Sequence, residues 1–275
     1  MKAAAFEHVH ASTARDAVAV LAAGNGNAKP CGGTQSLGPM LNLRLVQTDT
    51  LVRVAHLEEL RSFELRAEVL RIGAGVTHAR IEDGELPDVT RGLLAHVAAN
   101  IAYRAVRNRG TLGGSLAHAD PAADWVSTMC LLDAGIVLLG PNGERTLRAS
   151  EFMFGPFTTA LEPDEIIVAV EVPCFSASAR WSYRKMCRKP GEFAEAIAAV
   201  WLDPQHGVAR ALFGALGGAP LLIEGSAQIE ALAQPAALQR ALDDAGLEDD
   251  YERELHAVVM RRALADVDRT AQGTA

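Results

Sequence analysis

The sequence predicts an α+β fold, on three observations. Strand-length apolar stretches and helical stretches are interspersed along the first 175 residues. The last hundred residues then carry three strand signals followed by two helical ones. No G-x-G-x-x-G turn is present: Gly73-Ala74-Gly75 begins one, but position 78 is His78, which disfavours a Rossmann fold. Composition agrees with a packed protein. Hydrophobic residues make up 49% of the 275 and charged residues 22%, enough for a real core and room for two or three domains.

Each element has a local reason. Ser12 is a plausible N-cap, Ala14 to Ala23 are good helix formers, and Gly24 can end the helix. Ala28 to Cys31, Thr50 to Val54 and Val69 to Ile72 read as strands, and Thr77 can cap the segment after it. Arg91 to Tyr103 reads as the clearest helix, with Leu93, Leu94, Val97, Ala98 and Ile101 on one face. Arg104 to Asp120 reads as a loop. Asp120-Pro121 then predicts the start of a helix with the apolar stripe Trp125, Val126, Met129 and Leu132, closed by Gly135. Ile136 to Leu139 and Arg145 to Leu147 flank Pro141-Asn142-Gly143 as a hairpin. Ile166 to Val172 is a strand that Pro173 ends. Trp181 to Met186, Ala194 to Trp201 and Val208 to Leu216 are strands punctuated by Asp203-Pro204 and Gly217-Gly218. Ala227 to Ala245 and Tyr251 to Ala265 are two closing helices, and the tail after Asp268 is expected to fray. A domain boundary is expected within residues 173–179.

Charge and cysteine usage exclude several functions. Lys and Arg number 26 against 34 Asp and Glu, a net charge of −8, which makes nucleic acid and anionic membrane poor partners. No apolar run approaches the length that crosses a bilayer, so no transmembrane segment is expected. The N-terminal residues contain no sustained apolar segment, and the chain reads as cytoplasmic. Cys31, Cys130, Cys174 and Cys187 form no C-x2-C or C-x4-C pair, so no zinc or iron–sulfur pattern and no metal ligand is expected. Buried thiols are the simplest reading.

Two glycine loops carry the chemistry. The first is Lys29-Pro30-Cys31-Gly32-Gly33-Thr34-Gln35-Ser36-Leu37-Gly38-Pro39; the second is Arg107-Asn108-Arg109-Gly110-Thr111-Leu112-Gly113-Gly114-Ser115. Glycine lets backbone amides approach an anion, and Ser and Thr hydroxyls add donors without charge. Neither loop is a Walker A. Singly, each is most simply a tight turn. Together they suit the two phosphates of one dinucleotide.

These loops, with Leu43-Arg44-Leu45, Ile72 to His78, Val106 to Asp124, Pro163 to Ile167 and Tyr183 to Met186, resemble the FAD-binding medium subunit of molybdenum hydroxylases, as in carbon monoxide dehydrogenase and xanthine dehydrogenase. The resemblance implies a two-subdomain FAD-binding fold of the vanillyl-alcohol-oxidase/PCMH type over residues 1–175, with subdomains at about 1–56 and 57–175. A C-terminal α+β domain is implied over residues 176–275. The resemblance also implies that Lys29, Pro30, Cys31, Gly32, Gly33, Thr34, Gln35 and Ser36, with Thr111, Gly113, Gly114 and Ser115, carry the FAD pyrophosphate. On the same basis Asp124 contacts the cofactor, Ile167 lies near the adenine, and Ile101 and Phe193 pack near the isoalloxazine. Lys185 lies near the flavin, with Arg184 as the alternative. Ser115 stands where relatives often carry Asn. Without the family, Asp124 is most simply a helix N-terminal carboxylate, and Ile101 and Phe193 are core residues.

No catalytic acid or base is expected in this chain. The resemblance implies an oxidoreductase subunit that takes electrons from [2Fe–2S] clusters of a small partner. Molybdopterin is expected on a large partner, in a heterotrimer or a dimer of heterotrimers, with NAD, quinone or oxygen as acceptor. Two alternatives are an independent flavin oxidase or reductase of the same fold, and a scaffold without cofactor. The basic residues Arg180, Arg184, Lys185, Arg188 and Lys189 are either a solvated face or a docking point for flavin, nicotinamide nucleotide or a partner.

Overall fold

In the computed structural model, residues 2–272 are described. The chain opens with β1 (Glu7–His10), α1 (Ala14–Ala23), β2 (Ala28–Cys31), α2 (Leu37–Asn42) and β3 (Thr50–Arg53). These strands form a small parallel sheet in the order β1-β3-β2. Thr13, one residue after the expected Ser12, is the cap of α1. Its extended backbone places Oγ1 3.0 Å from the Asp16 N–H.

Next come α3 (Glu58–Arg61), β4 (Phe63–Arg66), β5 (Val69–Gly73), α4 (His78–Glu82), α5 (Leu93–Ala99), α6 (Arg104–Arg107), α7 (Leu112–His118) and α8 (Asp124–Leu132). After α8 the chain forms β6 (Gly135–Gly140), β7 (Gly143–Arg148), β8 (Met153–Gly155), β9 (Thr158–Thr159) and β10 (Ile166–Pro173). An antiparallel sheet forms in the order β4-β5-β10-β6-β7, with β8 and β9 a separate hairpin. The last part is an antiparallel meander of β11 (Arg180–Met186), β12 (Ala196–Asp203), β13 (Val208–Gly214) and β14 (Leu221–Glu224). It is closed by α9 (Ser226–Ala231), α10 (Pro235–Asp244) and α11 (Asp250–Gln272).

Burial fixes how these layers stack. Every residue of α8 is buried. The helix lies in one core with Ile72 and Val170 of the five-stranded sheet and with Ile197, Ala199 and Trp201 of β12. The alternate β12 residues Ala196, Ala198 and Val200 face the closing helices, packing with Ala257, Met260 and Ala263. That double burial explains why β12 reads as a continuous apolar run. On the other side, α1 packs Ala17, Val18 and Leu21 against Val137, Leu139 and Val168. The small parallel sheet is thereby joined to the larger one.

Several expected elements shift. The helix expected over Arg91 to Tyr103 spans only Leu93–Ala99. Arg91 and Gly92 have φ of 52° and 87°, and Ala102 has φ of 43°, which helix geometry does not allow. The expected loop from Arg104 to Asp120 contains α6 and α7. Asp120 closes a turn by accepting the Ala122 N–H at 2.9 Å, so α8 starts at Asp124 rather than at Asp120-Pro121. At its far end α8 stops at Asp133, with φ of 47°, and Gly135 begins β6. Pro235 starts a new helix within the expected Ala227 to Ala245 segment, because proline has no N–H to continue the first one. The last helix runs to Gln272, past the expected fraying point at Asp268; residues 273–275 lie outside the described residues.

Candidate cofactor site

The first glycine loop leaves the end of β2, where Cys31 is the last paired residue. Thr34 takes a left-handed conformation with φ of 58°, and Gln35 Nε2 donates to the Gly33 carbonyl at 3.0 Å. The five backbone N–H groups from Gly32 to Ser36 donate to no other group among the described residues. Peptide N–H groups rarely stay unpaired unless water or a ligand accepts from them.

The second loop lies directly against the first. A Cβ at Gly33 would fall 2.0 Å from the Arg109 carbonyl oxygen, and one at Gly32 would fall 3.1 Å from Thr111 Oγ1. At position 33 only glycine permits this approach. Thr111 caps α7 by accepting the Gly114 N–H at 3.1 Å. Gly113 donates to the Ala74 carbonyl at 2.9 Å, and a Cβ there would lie 2.5 Å from the Ala74 methyl. Ala74 in turn donates to the Val168 carbonyl at 3.0 Å, beside Ile167 on β10. Ile167 is therefore buried next to the support of the second loop.

Arg107 ties this loop to a second neighbourhood. Its guanidinium makes two hydrogen bonds to Glu82, at 2.7 and 2.8 Å, and two to the Ile101 and Ala102 carbonyls, at 2.9 and 3.0 Å. Hydrogen bonding to Arg107 holds the Glu82 carboxyl below the usual range. The turn so held carries half-buried Ile101. Against it lies Gly191, where a Cβ would fall 2.7 Å from the Ala102 oxygen. Phe193, two residues on, is 61% exposed.

Asp124 and Lys185 meet each other. Lys185 Nζ lies 2.8 Å from Asp124 Oδ2, and the Tyr183 hydroxyl donates to Asp124 Oδ1 at 2.8 Å. Lys185 also donates to the Asn100 carbonyl at 3.3 Å, next to Ile101. Burial pushes the Asp124 carboxyl up, while Lys185 and Tyr183 oppose the shift. Arg184, the alternative to Lys185, lies on the opposite face of β11 and pairs with Asp266 of α11. Tyr183 is a member of this cluster that sequence reasoning missed. The signal was its spacing, two residues before Lys185 on one strand face.

The other singled-out residues have local partners. Arg188 pairs with Glu195 at 2.7 Å, and Arg180 donates to the Val267 carbonyl at 3.3 Å. With Arg184 and Lys185 paired as well, four of the five basic residues are engaged within the chain. Cys31 is buried, and burial pushes its thiol up, away from reactivity. A cavity of about 360 Å³ lined by Thr13, Glu59, Phe63, Arg66 and Arg71 shares no residue with either glycine loop. Among the described residues no cluster of His, Cys, Asp and Glu could hold a metal ion, and no helix is long and apolar enough to cross a membrane.

The chemistry of the donor set fits the cofactor that the sequence resemblance implies. A run of unpaired amides beside a helix start, at the crossing of two glycine loops, suits an anionic diphosphate. Comparison with known proteins points the same way. The family described as FAD binding domain in molybdopterin dehydrogenase matches residues 4–175. The chain is 36% identical over 195 residues to the carbon monoxide dehydrogenase medium chain of Hydrogenophaga pseudoflava, covering 71% of this chain and 68% of that one. It is 34% identical over 220 residues to the 6-hydroxypseudooxynicotine dehydrogenase complex subunit alpha of Paenarthrobacter nicotinovorans, covering 79% and 74%. Among solved structures, a chain of quinoline 2-oxidoreductase from Pseudomonas putida 86 superposes with a TM-score of 0.87 at 31% identity, covering 98% of this chain and 99% of that one.

Proposed function

The chain belongs to the family of FAD-binding domains in molybdopterin dehydrogenases, and from that membership we propose that it is the FAD-carrying electron-transfer subunit of a heteromeric molybdenum hydroxylase. The observation that carries the reading is the meeting of the two glycine loops, with five unpaired amides along the first. FAD, when bound, supplies an exchange between one-electron and two-electron carriers.

The protein's own part is binding and positioning. Amides of residues 32–36 and the hydroxyls of Thr111 and Ser115 hold the diphosphate, while the Leu112, Gly113 and Gly114 amides are engaged within the chain. Ile167 packs beside the second loop's support. Lys185, fixed by Asp124, gives a compensated charge beside the Asn100–Ile101 turn, and exposed Phe193 follows Gly191, which lies against that turn. In this reading residues 1–56 and 57–175 form the two halves of the cofactor domain, and residues 176–275 bring Tyr183 and Lys185 to it. The partners are a large molybdopterin subunit and a small [2Fe–2S] subunit that delivers electrons. An external acceptor, namely NAD, quinone or oxygen, removes them.

Native purification with subunit, metal and flavin analysis tests the proposal. The expected result is FAD, molybdenum and iron in fixed proportion, with two further chains. Rapid reduction of the flavin by substrate should require all three chains. A lone, flavin-free protein would sink the reading, as would full substrate turnover by this chain without a molybdenum partner.

A further inference from the structure

His78 has no part in the contacts assigned to the cofactor. It opens α4, and its backbone N–H donates to the Gly110 carbonyl at 3.0 Å. Nearby, Leu112 donates to the Val76 carbonyl, also at 3.0 Å. Residues 76–78 therefore pin the second glycine loop by two backbone bonds. The imidazole fills the remaining space: a Cβ at Gly110 would lie 2.7 Å from His78 Nε2. The residue is 5% exposed.

The far side of the ring is fixed by α8. The indole N–H of Trp125, itself fully buried, donates to His78 Nδ1 at 3.0 Å. An indole nitrogen can only donate. Nδ1 must then keep its lone pair, and the proton of the neutral ring sits on Nε2. That Nε2–H has no acceptor among the described residues, and Nε2 and Cδ2 form the ring edge against Gly110. Arg107 of α6 is the charged group that acts on the ring, and it opposes an imidazolium. Glu82, on α4 itself, is engaged by Arg107. Burial acts in the same direction as Arg107, and together they hold His78 down to about 4.

We propose that His78 is a positioning residue for the diphosphate loop. Trp125 locks the imidazole as its neutral Nε2–H tautomer, and the ring in that form sets the position of the Gly110–Thr111 turn by filling the space against Gly110. Adjacent residues of one helix thus serve both parts of the site: Asp124 holds Lys185, and Trp125 holds His78. The inference rests on the reading that the glycine loops hold the FAD diphosphate.

The test uses the full chain, 15N-labelled, stripped of flavin and titrated with FAD, with folding followed by circular dichroism. Imidazole 15N spectra should show His78 protonated on Nε2 and not on Nδ1, unchanged from pH 8 to about pH 5.5. His78→Leu should weaken FAD binding about tenfold or more. His78→Gln, whose amide oxygen can accept from Trp125 and whose side chain keeps bulk against Gly110, should return affinity to within about threefold of the native value. Gly33→Val tests the loop reading itself and should abolish binding. A folded Gly33→Val that binds FAD normally would remove the loop reading and the inference with it. Loss in Gly33→Val beside native affinity in His78→Leu would overturn the inference alone. So would a His78 ring protonated on Nδ1, or a His78→Gln variant no better than His78→Leu. If His78→Leu does not fold, the native spectrum and the glutamine variant still decide.

Discussion

At the scale of single residues, the Asp124–Lys185 pair is a buried ion pair. Their side chains are 5% and 8% exposed, so neither charge is solvated and each depends on the other. Removing Asp124 alone leaves a buried ammonium without its counter-charge. Asp124→Ala should lower unfolding free energy by about 3–5 kcal/mol, read by urea denaturation. The double variant Asp124→Leu/Lys185→Met should lose clearly less, because no charge is left stranded. An equal loss in both would show that packing, and not the charge pair, holds α8 to β11. Asp124 and Lys185 were individually legible, since each matched a family position. That they bond to one another was not, because 61 residues separate them in the chain.

At the scale of elements, α7 shows how a cap can outweigh composition. Two of its seven residues are glycine, which disfavours a helix by about 1 kcal/mol each. Glycine content is also why this stretch reads as a loop. The helix forms because Thr111 satisfies the Gly114 N–H and because Leu112 and Leu116 are buried. Thr111→Ala should therefore cost about 1 kcal/mol of stability, and Thr111→Ser should keep most of it, as measured by thermal unfolding. No loss in the alanine variant would mean that burial alone forms the helix. The opposite mismatch, the helix expected over Arg91 to Tyr103, has a related cause. Its apolar period continues to Ile101, but the backbone turns at Ala102, where Arg107 binds two carbonyls. A guanidinium from another element decides where that helix stops, and periodicity contains no such information.

At the scale of the whole molecule, buried His78 makes the fold acid-sensitive. His78 in the folded chain binds its proton only near pH 4, whereas in the unfolded chain it does so near 6.5. Below pH 6.5 the unfolded state gains the proton first. Stability is full above that pH and falls as pH drops towards 4, by about 3 kcal/mol from this residue. Partial desolvation holds exposed His96 and half-buried His118 down as well, so they add in the same direction. Glu82 and Glu165 carboxyls, held low by arginine hydrogen bonds, contribute stability above the unfolded carboxylate range that is lost at still lower pH. Urea midpoints from pH 7.5 to 5 should decline steadily, with a shallower decline in His78→Gln. An identical slope in that variant would show that His78 is protonated while folded.

Local patterning was enough for the α+β class, most strands and the two glycine loops, because strand burial and tight turns leave local marks. It also determined the family, since the motif from Val106 to Asp124 is long. Tertiary structure alone decided that Gly33 lies against Arg109, that Lys185 rather than Arg184 faces Asp124, and that Trp125 dictates the tautomer of His78. Each of these is a contact between elements far apart in the chain. Such contacts are fixed by how the layers pack, and local propensity has no term for them.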